Sequence, residues 1–236
     1  MTLPAHFIPP LENGDCLTRL EFEQRYEAMP QVKKAELVEG IVYMASPLRF
    51  ESHGKPHSAM MTWLGTYWAA TPGTLLGDNT TVRFDKDNEH QPDAVLFLPS
   101  TIGGKVIITE DDYLQGAPEL IVEIAASTAS YDFHIKRRVY ERQGVQEYIV
   151  WRVYDQQIDW FQLQPAGYVK ISPNESGLIS SQVFPGLVLA VSALLAGKYA
   201  QVLAELQQGL QSPEHQNFVK QLQEKAGNKS NYSHLK

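Results

Sequence analysis

The sequence predicts one α/β domain built on a central sheet. Three observations carry that prediction. The stretch E-L-I-V-E-I-A-A, Glu119 to Ala126, is an apolar run of the kind found in strands buried on both faces. Amphipathic spacing marks helices from His57 to about Ala70 and within Leu187 to Leu210. Between them, Val145 to Ile171 alternates short runs rich in Tyr, Ile, Val and Trp with turn residues, the pattern of an antiparallel β-meander. At 236 residues and 43% hydrophobic content the chain can bury one sizeable core.

Taken in order, residues 1–17 are Pro-rich and read as an irregular surface arm. The domain spans residues 18–210. Thr18 and Glu21 have capping-box spacing, so a helix begins there, and Pro30 ends it near Met29. Ala35 to Pro47 reads as a strand or a hairpin bent at Gly40. It carries two acids, Glu36 and Glu39, of which one faces solvent and the other the centre occupied by Glu123. Pro47 to Pro56 is a loop containing His53. In the helix that His57 opens, Met61, Leu64 and Trp68 mark the buried stripe, and Thr71-Pro72-Gly73 stops it. His57 reads as a surface or capping histidine. Leu75 to Phe84 is a strand region broken at Gly77-Asp78-Asn79, and Asp85 to Gln91 is turn-like. Ala94 to Leu98 is a short strand with Asp93 at its mouth, and Pro99 to Gly116 is loop. Ser127, Thr128 and Ser130 are loop and capping candidates. A helix from about Asp132 to Gln143, stopped by Gly144, turns Ile135, Val139 and Tyr140 inward. After Pro185-Gly186 come one or two amphipathic helices. Residues 211–236 are polar, lack a sustained apolar face and read as a flexible tail.

Composition excludes several classes. A single cysteine, Cys16, rules out an internal disulfide and fits a reducing, cytoplasmic compartment. No run approaches the ~18 apolar residues of a membrane span, and the first residues do not resemble a signal peptide. The net charge of -7 gives no overall basic footprint for nucleic acid. Lys136, Arg137, Arg138 and Arg142 are a local basic cluster, which an ordinary solvated helix face explains equally well. No P-loop, G-x-G-x-x-G or G-x-S-x-G is present.

The chemistry starts from Glu123. An ionised carboxylate in a buried strand is expensive unless it is paired, hydrogen-bonded or bound to a metal. Asp93 opens a second apolar strand, and Lys136 follows Glu123 by thirteen residues. Helical side chains lean toward their own N-terminus, so Lys136 can reach back to the strand mouth. A divalent cation would relieve two neighbouring carboxylates, and hard oxygen ligands suit Mg²⁺ or Mn²⁺ over zinc. Ion pairs of Glu123 with Lys136 or Arg137, and of Lys136 with Asp132 at i, i+4, explain the same residues without chemistry. Both readings fit these residues.

The order of motifs resembles the Uma-two family of putative restriction endonucleases, within the PD-(D/E)XK nuclease superfamily. The matching blocks are E-L-V-E-G at Glu36 to Gly40, P-D-A-V at Pro92 to Val95, and E-L-I-V-E-I-A-A-S-T at Glu119 to Thr128. They continue with D-F-H-I-K at Asp132 to Lys136 and G-V-Q-E-Y-I-V-W at Gly144 to Trp151. The resemblance covers roughly residues 18–205. It implies a restriction endonuclease-like mixed sheet flanked by helices, with the meander and helix following. It implies that Asp93 and Glu123 are metal ligands joined by the backbone carbonyl of Ile124, with Glu36 an additional acid. The implied reaction is phosphodiester hydrolysis of DNA by a metal-activated water. The superfamily lysine two residues after the acid is replaced here by Ala125, and the D-x-x-x-K pattern gives its role to Lys136. The S-P-S-T loop of many members is shortened to Ala126-Ser127-Thr128. The alternative is an inactive nuclease-like scaffold that binds nucleic acid or a protein. Tyr148, Trp151, Tyr154 and Trp160 mark either sheet core or a homodimer interface.

Overall fold

The structure, a computed structural model, describes residues 8–44, 47–126 and 131–233, with side chains through 227. Helix α1 (Arg19–Glu27) is capped by Thr18, whose side chain accepts the Glu21 amide, as the sequence predicts. It leads into strands β1 (Ala35–Val38) and β2 (Ile41–Met44). A π-helical turn, Phe50–Gly54, opens directly into α2 (Lys55–Ala70). Strands β3 (Leu75–Asp78), β4 (Val82–Asp85), β5 (Asn88–His90) and β6 (Ala94–Phe97) follow, then β7 (Ile107–Ile108), β8 (Leu114–Gln115) and β9 (Leu120–Ala125). A second π-helical turn, Asp132–Lys136, continues into α3 (Arg137–Gln143). Next come β10 (Glu147–Arg152), β11 (Gln157–Gln164), β12 (Gly167–Lys170), β13 (Leu178–Ser180) and β14 (Val188–Ala190). Helices α4 (Val191–Leu195), α5 (Tyr199–Leu210) and α6 (Pro213–Ser233) close the described chain.

The central sheet has the order β12-β11-β10-β9-β6-β3. Only β9 and β10 pair in parallel within it; the crossover between them runs through α3. The expected meander is β10-β11-β12. A second sheet has the order β2-β1-β5-β4-β8-β7. Both faces of the central sheet are covered, so β9 is buried at all six positions. Leu120, Val122 and Ile124 face a core shared with α2, α5 and the β13–β14 pair. Ile121 and Ala125 face the other core, with Val82 and Leu114 of the second sheet and Tyr140 of α3. Strand alternation puts Glu123 on the Ile121–Ala125 side, between the two sheets and α3.

Several elements differ from the sequence expectation. The α2 stripe is Met60, Trp63, Leu64 and Tyr67; Met61 is only partly buried and Trp68 is exposed. Large apolar residues surround this helix, so spacing alone could not set its phase. The turn-like Asp85–Gln91 contains β5, which the second sheet buries. The Pro99–Gly116 loop contains β8 and the edge strand β7. Val188–Ala190 is a strand rather than the start of a helix. The described part of the arm is docked: Leu11 is buried, and Gly14, Asp15 and Leu17 exchange backbone hydrogen bonds with Gly40 and Val42. The tail expected to be flexible forms α6, where Leu222 is buried and His215 Nε2 lies 3.0 Å from Thr71 Oγ1. Tyr148, Trp151 and Trp160 are core, while Tyr154 is exposed. The capping candidates Ser127, Thr128 and Ser130 lie outside the described residues.

Candidate active site

The site lies where β1, β6, β9 and the turn before α3 converge. Glu36 and Glu39 separate as expected: Glu36 is buried, whereas Glu39, in the β1–β2 turn, is exposed and pairs with Arg142 on the surface. The π-helical turn carries Lys136 inward from the helix start. Its Nζ lies 2.9 Å from Glu123 Oε1 and 2.9 Å from Glu36 Oε1. Asp132 Oδ1 stands 3.6 Å away, so the i, i+4 contact exists beside the longer-range ones. Lys136 is 2% exposed. Such an amine stays charged only because its partners outweigh desolvation. Burial would lower its pKa, but Glu123 and Glu36 raise it well above the ordinary value.

The two glutamates that share this lysine differ. Burial pushes Glu36 up, yet Lys136 and Lys34 outweigh burial and hold it down to about 2. Its Oε1 also accepts the Gln91 amide at 2.7 Å. Burial pushes Glu123 up to about 8, with repulsion from Asp132, Asp93 and Glu36 reinforcing it and Lys136 opposing it. Glu123 accepts the Tyr140 hydroxyl at 2.8 Å. One lysine thus stabilises one full negative charge, and the second carboxylate is left under-compensated.

Asp93 stands on the other side of Glu123. Ala94 pairs with Val122 across the antiparallel β6–β9 ladder, which brings the preceding Asp93 to the Glu123 end of β9. Asp93 Oδ2 accepts the Ile124 amide at 2.7 Å. Ile124 therefore joins the site first as a donor that fixes the aspartate. Asp93 Oδ1 faces Lys34 Nζ and His53 Nε2, each at 3.5 Å. His57 Nε2 lies 3.1 Å from the Asp93 carbonyl and 3.1 Å from Asp78 Oδ1. Both partners are acceptors, so Nε2 carries the proton and pins the main chain of Asp93.

All four sequence candidates, Asp93, Glu123, Lys136 and Glu36, are buried and meet at this junction. Sequence reasoning leaves Lys34 aside, assigns His53 to a loop and gives His57 a surface role. Their local surroundings are ordinary, and only the folding of β1, the Phe50–Gly54 turn and α2 around Asp93 brings them there. Among the described residues, no group of three or more His, Cys, Asp or Glu side chains converges in metal-holding geometry. The donor chemistry nevertheless fits a hard cation. Four buried carboxylates, Glu36, Asp93, Glu123 and Asp132, face two amines, Lys34 and Lys136. Magnesium commonly needs only one or two protein carboxylates, with water and phosphate oxygens as its remaining ligands.

Comparison with known proteins agrees with this architecture. A family model, Uma2, described as a putative restriction endonuclease, matches residues 20–192. The fold is similar to the crystal structure of a putative nuclease belonging to DUF820 from Anabaena variabilis. The TM-score is 0.54 and the identity 14%, over 73% of this chain and 96% of that one. At that identity the likeness is one of fold. No curated protein sequence matches the chain. Among the described residues, no helix is long and apolar enough to cross a membrane.

Proposed function

We propose a function from the premise that this chain belongs to the Uma2 family of putative restriction endonucleases: it is a Mg²⁺- or Mn²⁺-dependent endonuclease that hydrolyses phosphodiester bonds of DNA. One observation carries the reading. Asp93, just before β6, stands beside Glu123 within β9, and the only lysine on Glu123 among the described residues comes from the π-helical turn before α3.

Asp93 and Glu123 would hold the cation, with the Ile124 carbonyl as a further oxygen. Bound there, it would supply charge neutralisation at a phosphate and acidify a water. The chain's own groups do the rest. The Ile124 amide locks Asp93 Oδ2, leaving Oδ1 on the side of Lys34 and His53. Lys136 holds Glu123 in place through Nζ and puts a fixed positive charge beside the reacting phosphate. Glu36 anchors Lys136 from the opposite side and sets the direction of its remaining proton. The Tyr140 hydroxyl orients the same Glu123 oxygen.

Ala125 favours a second reading. It is fully buried in the position where the superfamily carries its lysine, which suits a scaffold that binds nucleic acid or a protein without cutting. Calorimetric titration of Mn²⁺ into the wild type and Asp93→Asn, both checked by circular dichroism, separates the two. Saturable binding that Asp93→Asn abolishes supports the nuclease reading and justifies cleavage assays. A folded wild type that binds no Mn²⁺, alone or with DNA, sinks it.

A further inference from the structure

Lys34 and His53 take no part in holding the cation or Glu123 above, yet both face the oxygen of Asp93 that the Ile124 amide leaves uncommitted. Each lies 3.5 Å from Oδ1, beyond the 2.7–3.2 Å of a made N–H···O hydrogen bond. By contrast, Oδ2 is committed to Ile124 at 2.7 Å. Neither group has a closer anionic side chain among the described residues; Lys34 acts on Glu36 only from a longer range, helping to hold that carboxyl down. The other contact of Lys34 is the neutral Asn79 Oδ1 at 3.3 Å. The His53 ring stacks on His57 at 5.6 Å with an interplanar angle of 11°. His57 is in turn held by Asp78 and the Asp93 carbonyl, so the His53 ring is oriented from behind. The lysine and histidine side chains are 24% and 12% exposed, and so form the rim of a site whose acids are otherwise buried.

From this we propose that Lys34 and His53 form a phosphate-binding subsite on the open side of Asp93, which grips a phosphate of the nucleic-acid backbone. The subsite rests on the nuclease reading for its substrate class. Its physical logic is exchange of partners. In the protein alone, Asp93 Oδ1 balances the two nitrogens loosely. A cation on that oxygen takes the balancing charge away and leaves Lys34 beside a like charge. An incoming phosphate restores neutrality, accepting from the Lys34 ammonium and from His53 Nε2–H. His53 needs no positive charge for this. The site then binds cation and phosphate together more strongly than either alone. Lys136 is unsuited to the same task, since Glu123 and Glu36 already occupy it at 2.9 Å each.

The test uses the full chain, Mn²⁺ alone, and thymidine 3′,5′-bisphosphate as the phosphate probe, with calorimetry as readout and no cleavage required. The expected result is that Lys34→Gln binds Mn²⁺ alone at least as tightly as wild type, because the like charge beside Asp93 Oδ1 is gone, and that His53→Gln keeps Mn²⁺ affinity within about threefold of wild type. Each weakens bisphosphate binding in the presence of Mn²⁺ by about tenfold or more, by the 1.4 kcal/mol-per-decade relation for one charge-assisted bond. Lys34→Arg retains much of the affinity. Circular dichroism and urea midpoints confirm that the variants fold. Unchanged bisphosphate affinity in folded Lys34→Gln overturns the subsite while leaving the metal site standing. Wild-type protein that binds Mn²⁺ but no bisphosphate does the same. Bisphosphate binding that depends on Lys34 in a protein with no Mn²⁺ affinity supports the subsite and removes the nuclease reading. Binding of neither probe overturns both.

Discussion

Lys136 decides the energetics of the site at the scale of single residues. Burying an ion is tolerable when its partners are close, and removing one partner strands the others. Lys136→Met would leave Glu36 and Glu123 without their shared amine in a volume closed to water. The expected loss in urea unfolding at pH 7 is about 3–5 kcal/mol. Adding Glu36→Gln should recover part of that loss, because the two positions are coupled and not additive. Equal losses in the single and double variants would remove the cluster from the stability account. A second buried group acts through pH. His90 is fully enclosed, between Phe84 and Tyr140, and burial lowers its pKa from 6.5 to about 3. Below pH 6.5 the unfolded chain takes up a proton that the folded chain refuses until about pH 3. Stability is therefore fully present above 6.5 and drains away as pH falls through that window. Between pH 7 and 5, wild type should lose about 2 kcal/mol more than His90→Gln, at 1.36 kcal/mol per unit of pKa difference. Parallel pH profiles in the two proteins would refute this. The sequence made Glu123 legible because it is a charge inside an apolar run, and made Glu36, Asp93 and Lys136 legible through their order around it, which resembles a known family. Lys34 and His53 carry neither signal, and only the fold brings them to Asp93.

Elements were legible where one force set them. Strand β9 has apolar residues on both faces, and that demands cover from both sides. The start of α1 follows from one capping hydroxyl. Where two patterns competed, tertiary contacts decided. Helix α2 has large apolar residues on most sides, and the sheet selected Met60, Trp63, Leu64 and Tyr67. Helix α6 needs only His215, Phe218 and Leu222, spaced i, i+3 and i+7, to dock, which is too sparse a stripe to stand out from its polar neighbours. Close approach is invisible to periodicity altogether. Gly209, near the end of α5, packs against the Pro185-Gly186 turn so tightly that a Cβ would lie 2.3 Å from the Gly186 carbonyl oxygen. Gly186 itself has φ of +85°, which favours glycine. Gly209→Ala should thus destabilise by about 1–3 kcal/mol, despite alanine's better helix propensity, because the backbone of the turn must move. Gly197→Ala is the contrast: its Cβ meets nothing within 4 Å, and any cost there comes from its φ of +70° alone. Thermal unfolding of both variants checks the ranking, and a stabilised Gly209→Ala would show that α5 and the turn yield freely.

For the whole molecule, two sheets and a helix enclose an excess of negative charge, and that links the proposed chemistry to global stability. The folded chain holds Glu36, Asp93, Glu123 and Asp132 against Lys34 and Lys136, whereas the unfolded chain lets all six separate into water. A cation that binds only the folded arrangement stabilises it by RT ln(1 + [L]/Kd), about 2.7 kcal/mol at a hundredfold excess over Kd. For a domain of this size, 1 kcal/mol corresponds to about 2–4 °C in Tm, so the shift should be about 5–11 °C. Mn²⁺ should produce it in wild type, and Asp93→Asn and Glu123→Gln should each lose it. Without metal, Asp93→Asn should keep a Tm near wild type, because it removes a buried like-charge repulsion on Glu123, whereas Glu123→Gln should lower it, because it also takes a charged partner from Lys136. Sodium chloride at matched ionic strength is the control, since general screening would relieve the same repulsion without occupying a site. An equal rise with salt, or a rise that survives Asp93→Asn, would make the acidic centre a source of diffuse repulsion and not a place where one cation binds. A rise confined to Mn²⁺ and to the intact carboxylate pair would tie the excess charge of the fold to a ligand it is shaped to receive.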